Sequence, residues 1–400
     1  MRISTPMVNQ LALNGIMQDE SSLAQTQQQL STGLSINSPA DNPVGEVELL
    51  QLTAASSQGQ QYLANGQSAS ANLNLEQSAL SSATSTLQSI QSLVVQANSG
   101  ANNASDLQSI ATEIQQLEQQ LVGTANSTTA TGQYLFAGYS VNSQPFVRGS
   151  SGSVTYVGDS GTSSVQLDGG TSVQTGDAGS SVFMNLPTGN GTFTTAASST
   201  NTGTGVIDAG SVTQASAWVP GQYTVTFTDA SDYQVTDGSG NVVASGTYNA
   251  SNGGSIAFDG IEVGISGAPA AGDTFTIAPS SGDSVFDTLD NLVSALNNAG
   301  TSSAARAQLS STLQGSLQEI QGALSQISNV TTSVGTRISL INSVNTSVTN
   351  QQTTVTTQIS NVDGLNYAAA TTQYSQEYVA LQAAEQSFAQ LGQLSLFKYL

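Results

Sequence analysis

Carboxylates are the main chemically active side chains in this sequence. Its 400 residues include 26 Asp and Glu, five Lys and Arg, and neither His nor Cys, which gives a formal net charge of −21. Two carboxylates could in principle hydrolyse a glycosidic bond as general acid and base. No pair stands out among the acidic residues, and we interpret them as solvated turn residues.

One acidic loop has part of the spacing of a calcium site. Asp237, Ser239 and Asn241 stand at alternate positions, as the first ligands of a calcium-binding loop do. The next residue is Val242, where such a loop needs Gly, and no Glu follows at the twelfth position. A hairpin turn is therefore the favoured interpretation. A zinc site of His and Cys is excluded because both residue types are absent, and no metal or cofactor is predicted.

The few cations exclude several classes of function. They are scattered along the chain at Arg2, Arg148, Arg306, Arg337 and Lys398. Nucleic acid and anionic membrane surfaces are bound by clustered Lys and Arg, so neither partner is predicted. A phosphate-binding P-loop needs a Lys after its glycines, and the usual Ser and Cys nucleophiles need a His. We therefore predict that the protein is not an enzyme.

The proline distribution indicates two long helical arms. None of the eight prolines falls within residues 44–144 or 280–400, and proline breaks helix interiors. In the C-terminal arm apolar residues recur every seven positions, at Leu313, Ile320, Ile327, Val334, Ile341, Val348, Val355 and Val362. This repeat predicts the core seam of a helix. We place the second seam position four residues after each of the first seven, at Leu317, Leu324, Thr331, Ile338, Asn345, Gln352 and Ile359.

The N-terminal arm carries matching stripes. Seven-residue steps recur there at Ile16, Leu23 and Leu30 and again at Leu73, Leu80, Leu87 and Val94. The two ends of the chain therefore look like partners. The predicted fold class is α+β: an elongated antiparallel helical bundle or coiled coil formed by both chain ends, with an inserted all-β domain.

The middle of the chain, residues 146–282, has the pattern of short strands. The Gly-rich run from Asp237 to Asn241 and the Asp259-Gly260 pair each separate two alternating runs, which is typical of β-hairpins. A Ser-, Thr- and Gly-rich section near 187–216 is expected to be looser.

Three domains follow from these patterns. We predict a terminal helical assembly domain from 1–43 with 363–400, a rod-like helical domain from 44–145 with 283–362, and the β domain at 146–282. In the joint between the first two, Pro39 stops a helix, and Asn42 caps the next helix, which begins at Pro43. The proposed assembly interface consists of apolar residues near both ends, Ile16, Leu23, Leu30, Phe388, Leu391, Leu394, Leu396, Phe397 and Leu400.

Three segments resemble the flagellin family. Residues 26–43 (TQQQLSTGLSINSPADNP) are similar to the N-terminal signature shared by flagellins and their junction proteins. Residues 132–138 (GQYLFAG), followed by Pro145 and Phe146, and the end of the chain at 381–400 resemble the hook–filament junction members of the family. The N-terminal signature alone leaves flagellin open, whereas the other two segments favour a junction protein.

The resemblance implies a mechanical role. Members are exported unfolded by the flagellar type III apparatus, without a cleaved signal peptide, and a cytoplasmic chaperone holds their C-terminal region. Outside the cell they self-associate in a ring at the hook tip, between a neighbouring junction protein and flagellin, with the terminal helices inside and the β domain facing outward. A flagellin-type filament subunit is the alternative, and a secreted adhesin with a coiled-coil stalk is a second one.

Overall fold

The computed structural model describes residues 5–149 and 152–396, and side chains from 7–149 and 152–390. The helices of this part of the chain are α1 (Thr5–Thr32), α2 (Pro43–Ala97), α3 (Ala104–Ala125), α4 (Gly179–Val182), α5 (Val285–Asn297), α6 (Ser303–Asp363) and α7 (Tyr367–Leu396). The strands are β1 (Phe146–Arg148), β2 (Val154–Tyr156), β3 (Ser164–Gln166), β4 (Ser172–Gln174), β5 (Leu186–Pro187), β6 (Phe193–Ala197), β7 (Val206–Ile207), β8 (Ser211–Val212), β9 (Tyr223–Phe227), β10 (Asp232–Asp237), β11 (Val242–Thr247), β12 (Gly254–Phe258), β13 (Ile261–Ser266), β14 (Thr274–Pro279) and β15 (Gly282–Asp283).

The chain forms two compact units. The terminal unit contains the described residues up to Asn65 and those from Ser343 onward, and the central unit contains Gly66–Asn342. The helices α2 and α6 contribute to both. Helices from both chain ends with antiparallel sheets between them confirm the predicted α+β class. The three-domain boundaries stay a prediction.

In the terminal unit, helices from the two chain ends run antiparallel in pairs. Thr26 Oγ1 on α1 donates to Glu377 Oε2 on α7 over 2.7 Å. Gln352 Nε2 on α6 donates to Ser56 Oγ on α2 over 2.5 Å. Further along each pair, a Cβ at Gly33 would lie 2.7 Å from the Tyr367 hydroxyl of α7, and a Cβ at Gly59 on α2 would lie 3.8 Å from the Val348 side chain of α6. In both pairs, higher numbers on one helix therefore lie beside lower numbers on the other, as the predicted antiparallel pairing of the two chain ends requires.

The helical part of the central unit repeats this pairing. Ser310 Oγ on α6 donates to Asn98 Oδ1 near the end of α2 over 2.9 Å. The shorter α3 and α5 pack on each other and are both capped: Asn103 and Asp106 form a capping box on α3, and Ser284 Oγ accepts from Asp287 N on α5. Caps satisfy backbone N–H groups that have no partner within the helix.

The heptad seam of α6 is buried, but its second position differs from the predicted one. Of the eight residues at the first position, all are buried except Val362, which is half-buried. The second buried position lies three residues further on, at Ser316, Ala323, Val330 and Val344. The predicted series four residues further on, beginning with Leu317 and Leu324, is only half-buried, so that placement was wrong. The prediction failed because the buried positions Ser316 and Ala323 carry small side chains, whereas Leu317 and Leu324, one residue further on, are large and apolar.

The β-rich stretch contains two differently packed parts. In the first part, up to β5, Phe146 and Phe183 pack edge to face at 5.5 Å between ring centroids, together with Phe136 and with Phe286 of α5. These short hairpins therefore share a core with the helical part of the central unit.

The second part, β6 to β14, has its own core. A five-stranded sheet in the order β11-β10-β9-β14-β6 and a sheet in the order β12-β13-β7, with β8 also on β13, contribute to a single apolar cluster. Both predicted hairpins are confirmed: β10 pairs with β11, and β12 pairs with β13 across Asp259 and Gly260, whose φ angles of 44° and 77° suit a type I′ turn. The section near 187–216 is not loose as expected, because Phe193 is buried and the backbone of β6 pairs with β14.

A carboxylate in the α6 seam should destabilise the fold. Val348 is 5% exposed, so Val348→Asp places an unpaired charge among apolar side chains, and we expect the free energy of unfolding to fall by several kcal/mol. Thermal denaturation followed by circular dichroism measures this loss. Ser347→Asp, on the exposed side of the same turn, is the control and should leave the midpoint nearly unchanged. Equal midpoints for both variants would contradict the assigned seam.

Candidate assembly surface

The segment that resembles the flagellin signature forms a tight joint in the terminal unit. The helix α1 ends at Thr32, so the predicted stop at Pro39 was wrong: Gly33 ends the helix with a φ of 77°, and its N–H donates to Gln29 O over 2.8 Å. A Cβ at this position would lie 2.7 Å from the Tyr367 hydroxyl. Both the positive φ and the close approach therefore require glycine here.

Asp363 holds the chain beyond this glycine. Its backbone oxygen accepts from Ser35 N over 2.7 Å, and its Oδ1 accepts from Ile36 N over 3.1 Å. Leu34 and Gly364 form a β-bridge beside these contacts. The connection between α1 and α2 is thus tied to the connection between α6 and α7, although more than 300 residues separate them in sequence (the contact of Ile36 with Asp363 spans 327).

Asp41 and Asn42 stabilise the turn that leads into α2. Asp41 Oδ2 accepts from the backbone N–H groups of Asn37 and Ser38, and these two hydrogen bonds hold the pKa of Asp41 below its usual value. Asn42 Oδ1 accepts from Gly45 N over 3.0 Å, and Pro43 is the first residue of α2. The cap predicted at Asn42 is confirmed.

The predicted interface residues of α1 lie on its α7-facing side. Ile16, Leu23 and Leu30 are half-buried and share a helical face with Thr26, which contacts Glu377 of α7. Phe388 on α7 is half-buried as well. Leu391, Leu394 and Leu396 belong to α7 but their side chains are not among those described, and Phe397 and Leu400 lie outside the described residues. Their role as an assembly interface stays a prediction.

The most exposed apolar side chains of the terminal unit are different ones. They are Met7, Leu11, Leu13 and Met17 on α1, Val44, Val47 and Leu50 on α2, and Tyr367, Tyr378 and Val379 on α7. Leu11 is 61% exposed, Val44 79% and Val379 63%. These ten residues are named the exposed apolar set below. Sequence reasoning missed them because it followed seven-residue stripes, although the 3-residue steps from Val44 to Val47 to Leu50 are visible in the sequence.

Three arginines of the central unit bind carboxylates or backbone oxygens of the same chain. Arg148 pairs with the buried Glu118, and Arg337 pairs with Asp177. Arg306 donates to the backbone oxygens of Gly100 and Asn102. These arginines therefore neutralise carboxylates or cap backbone groups within the chain.

The acidic turn suspected of calcium binding is a hairpin turn. Asp237 Oδ1 accepts from Ser239 N over 2.9 Å and from Asn241 N over 2.8 Å, and Asp237 Oδ2 accepts from the Asn241 amide. Within the described ranges no group of three or more acidic side chains is arranged to hold a metal ion. None of the described helices is long and apolar enough to cross a membrane.

The segment at residues 132–138 closes the N-terminal arm around a buried aromatic residue. Phe136 is fully buried, and its backbone oxygen accepts from Gly179 N and from the Tyr156 hydroxyl. Gly138 has a φ of 68°, and a Cβ there would lie 2.3 Å from Asp159 O. The glycine is therefore required by both backbone conformation and space.

The helical ends and part of the sheet region match described protein families. Residues 3–141 match the bacterial flagellin N-terminal helical region, and residues 317–400 match the bacterial flagellin C-terminal helical region. Residues 196–279 match the D2-like domain of flagellar hook-associated protein 1. The class defined by this fold is that of flagellin-like proteins, with an inserted β domain between the two helical regions.

Individual relatives narrow the class. Flagellar hook-associated protein 3 of Salmonella typhimurium is 34% identical over 152 residues, which is 38% of this chain and 48% of that protein. The chain thus spans about half the length of the curated relatives it matches. Phase 1 flagellin of Salmonella naestved is 32% identical over 130 residues, 32% of this chain and 26% of that flagellin.

Solved structures agree over a larger part of the chain. The crystal structure of Xanthomonas campestris FlgL is 35% identical with a TM-score of 0.72, covering 78% of this chain and 99% of that one. The crystal structure of hook-associated protein 3 from Legionella pneumophila is 30% identical with a TM-score of 0.74, covering 78% and 98%. The chain therefore belongs to the family of flagellar hook-associated protein 3, the FlgL proteins.

Removing the Thr26 hydroxyl should loosen the pairing of α1 with α7. Thr26 is 2% exposed and donates to Glu377, so Thr26→Val leaves a carboxylate oxygen without its donor and should cost about 1–3 kcal/mol. Hydrogen exchange of amides in α1 and α7 should become about tenfold faster or more. Thr26→Ser keeps the hydroxyl and serves as the control. Unchanged exchange in Thr26→Val would show that this contact does not hold the pair.

Proposed function

We propose that this protein is a structural subunit of the bacterial flagellum that forms the junction ring between hook and filament and is needed for filament assembly and motility. The observation that carries the proposal is the exposed apolar set of the terminal unit, in a chain that belongs to the hook-associated protein 3 family. Two of the curated relatives are named flagellar hook-associated protein 3, and FlgL of Legionella pneumophila is described as a flagellar junction protein.

Burial of the exposed apolar set gives this assembly its driving force. Ten large apolar side chains on three helices of one unit are exposed, and exposed apolar surface in a soluble protein can mark an interaction site. Each large apolar side chain that becomes buried contributes about 2 kcal/mol before ordering costs. Copies of the same chain, a neighbouring junction protein and flagellin are the partners that we propose for this surface.

The surface chemistry suits close packing of copies. Only 8% of residues are charged, so identical surfaces meet mainly through Ser, Thr, Asn and Gln. The protein then acts without catalysis. The terminal helices line the inside of the tube, and the part from β6 to β14 faces outward. The chain enters and leaves that part at one point, because Thr192 O before β6 accepts from Ser280 N after β14 over 2.9 Å.

Export precedes assembly in this proposal. The chain leaves the cell unfolded through the flagellar type III apparatus and acts outside. A sequence without Cys cannot form disulfides on the way. A cytoplasmic chaperone covers the apolar C-terminal region before export.

A filament subunit of the flagellin type is the less supported alternative. The hook-associated protein 3 of Salmonella typhimurium shares a longer matched region with this chain than the flagellin does, and that region is a larger share of the relative. The inserted β domain also matches a domain of another hook-associated protein.

Deleting residues 387–400 should abolish filament formation while the rest of the chain stays folded. The segment carries Phe388, Leu391, Leu394, Leu396, Phe397 and Leu400 with Lys398 as its only charge, and ordering costs of about 1–2 kcal/mol per residue prevent it from folding without partners. Electron microscopy of cells that express only the truncated protein should show hooks without filaments, with flagellin in the medium.

A control separates assembly from folding and export. Substituting Gln386 and Gln390, which are exposed and polar on α7, by Ser should leave filaments normal. Circular dichroism of the truncated protein should match the full chain in its helical signal apart from the deleted residues. Normal filaments from an exported, folded truncation would refute the proposed role of the terminal helices.

A further inference from the structure

A glutamate that has no part in the proposed assembly surface lies buried in the central unit. Glu76 on α2 is 1% exposed. Its Oε1 accepts from the backbone N–H of Asp177 over 3.1 Å, and within the described residues its Oε2 is buried without a hydrogen-bond partner. Such an unsatisfied buried oxygen costs free energy, most of all when it is charged.

Glu76 belongs to a cluster with too few positive charges. The Asp177 carboxylate forms an ion pair with Arg337 of α6, whose side chain is 12% exposed. Two carboxyl groups thus share one guanidinium. If both were ionised, a net negative charge would be buried, so a proton on Glu76 is the way to neutralise the cluster.

The surroundings of Glu76 supply no further charge. It lies at a cleft of about 310 Å³ whose other residues apart from Asp177 are uncharged, including Asn72, Gln133 and the titratable Tyr134 and Tyr139. Facing Glu76 there are therefore Asp177 from the segment after β4 and Arg337 from α6. Burial, followed by the charge of Asp177, raises the pKa of Glu76 to about 8, although Arg337 acts in the opposite direction.

The cluster joins three separate elements. Asp177 lies between β4 and α4, and the neighbouring Gly179 N donates to Phe136 O over 2.9 Å. Residues 175–179 are thus fixed on one side to α2 and α6 through Glu76 and Arg337, and on the other side to the backbone beside the buried Phe136. Releasing Glu76 from Asp177 would detach residues 175–179 from α2, while the Arg337 ion pair with Asp177 and the hydrogen bond from Thr175 N to Ser163 O over 2.9 Å would remain.

We propose that Glu76, Asp177 and Arg337 form a proton-dependent latch that fastens residues 175–179 to α2, holding most tightly in acid and loosening as the pH rises. The latch belongs to the folded central unit and does not depend on the proposed flagellar role, so it can be tested on the purified full chain.

The direction of the pH dependence follows from proton binding. The pKa of Glu76 is about 8 in the folded state against 4.5 for the ordinary carboxyl. Between these values the closed latch binds more protons than the open one, so its stability falls as the pH rises, by up to about tenfold in the opening equilibrium per pH unit. Above pH 8 the closed form is itself ionised and the dependence levels off.

Hydrogen exchange of residues 175–179 measures this opening. Exchange rates divided by the intrinsic rate at each pH should rise at least tenfold between pH 5.5 and 7.5 in the natural chain. The chain has no His, which removes the usual titration in this range. Burial also raises the pKa of Glu118, so the readout must be local to 175–179 rather than global unfolding.

Three variants make the test decisive. Glu76→Gln carries no titratable proton and should hold the normalised rate constant within about twofold over this pH range. Asp177→Asn leaves Glu76 as the only carboxyl beside Arg337 and should also reduce the slope, which covers the case in which Glu76→Gln fails to fold. Glu113→Gln on the exposed side of α3 should behave like the natural chain. A flat profile in the natural chain, or an unchanged slope in a folded Glu76→Gln or Asp177→Asn variant, would overturn the latch.

Discussion

Burial of one side of α6 against helices from the opposite chain end is the interaction on which the rest of the fold depends. The helix is rich in Thr, Ser and Asn and contains Gly315, Gly322 and Gly335, all weak helix formers. Several hydroxyls bond back to the carbonyl four residues earlier, as Thr331 does to Ile327, which slightly weakens a helix. Its stability therefore comes from the buried seam, which the sequence repeats every seven residues.

The elements that pack beside these long helices differ between the two units. In the central unit α6 contacts the end of α2 through Ser310 and Asn98, and its Gln326 Nε2 donates to Ser181 O of α4 over 2.8 Å. Beside these contacts, α5 and the first β-hairpins share an aromatic cluster. In the terminal unit, α1 and α7 pack on each other, and the exposed apolar set remains accessible to solvent. A surface of this kind supports the proposed assembly role.

Much of this architecture could be predicted from the sequence because its signals are local and periodic. Proline positions bound the helical arms, Asn42 caps α2, and the Asp259-Gly260 pair turns a hairpin. The failures have physical reasons. The strand β6 (FTTAA) has a weak alternation and owes its place to backbone pairing with β14, and the seam position occupied by Ser316 and Ala323 is hidden by adjacent leucines.

The buried Glu76 and Arg337 could not be predicted while the second seam position was placed four residues after the first. Glu76 stands three residues after Leu73, and Arg337 stands three residues after Val334, so both occupy the second seam position. If the second position had been placed three residues after the first, one charged residue in the seam of α2 and one in the seam of α6 would have indicated a buried pair. Their connection through Asp177, 101 residues from Glu76, depends on tertiary structure and has no sequence signal.

The location of the protein on the flagellum tests the central claim most directly. Because the sequence has no Cys, Ser239→Cys in the exposed turn between β10 and β11 gives a single site for gold labelling. After a check that the variant restores motility in a deletion strain, electron microscopy should find the label in one narrow band where hook meets filament. Label distributed along the filament would contradict the junction role and favour a filament subunit.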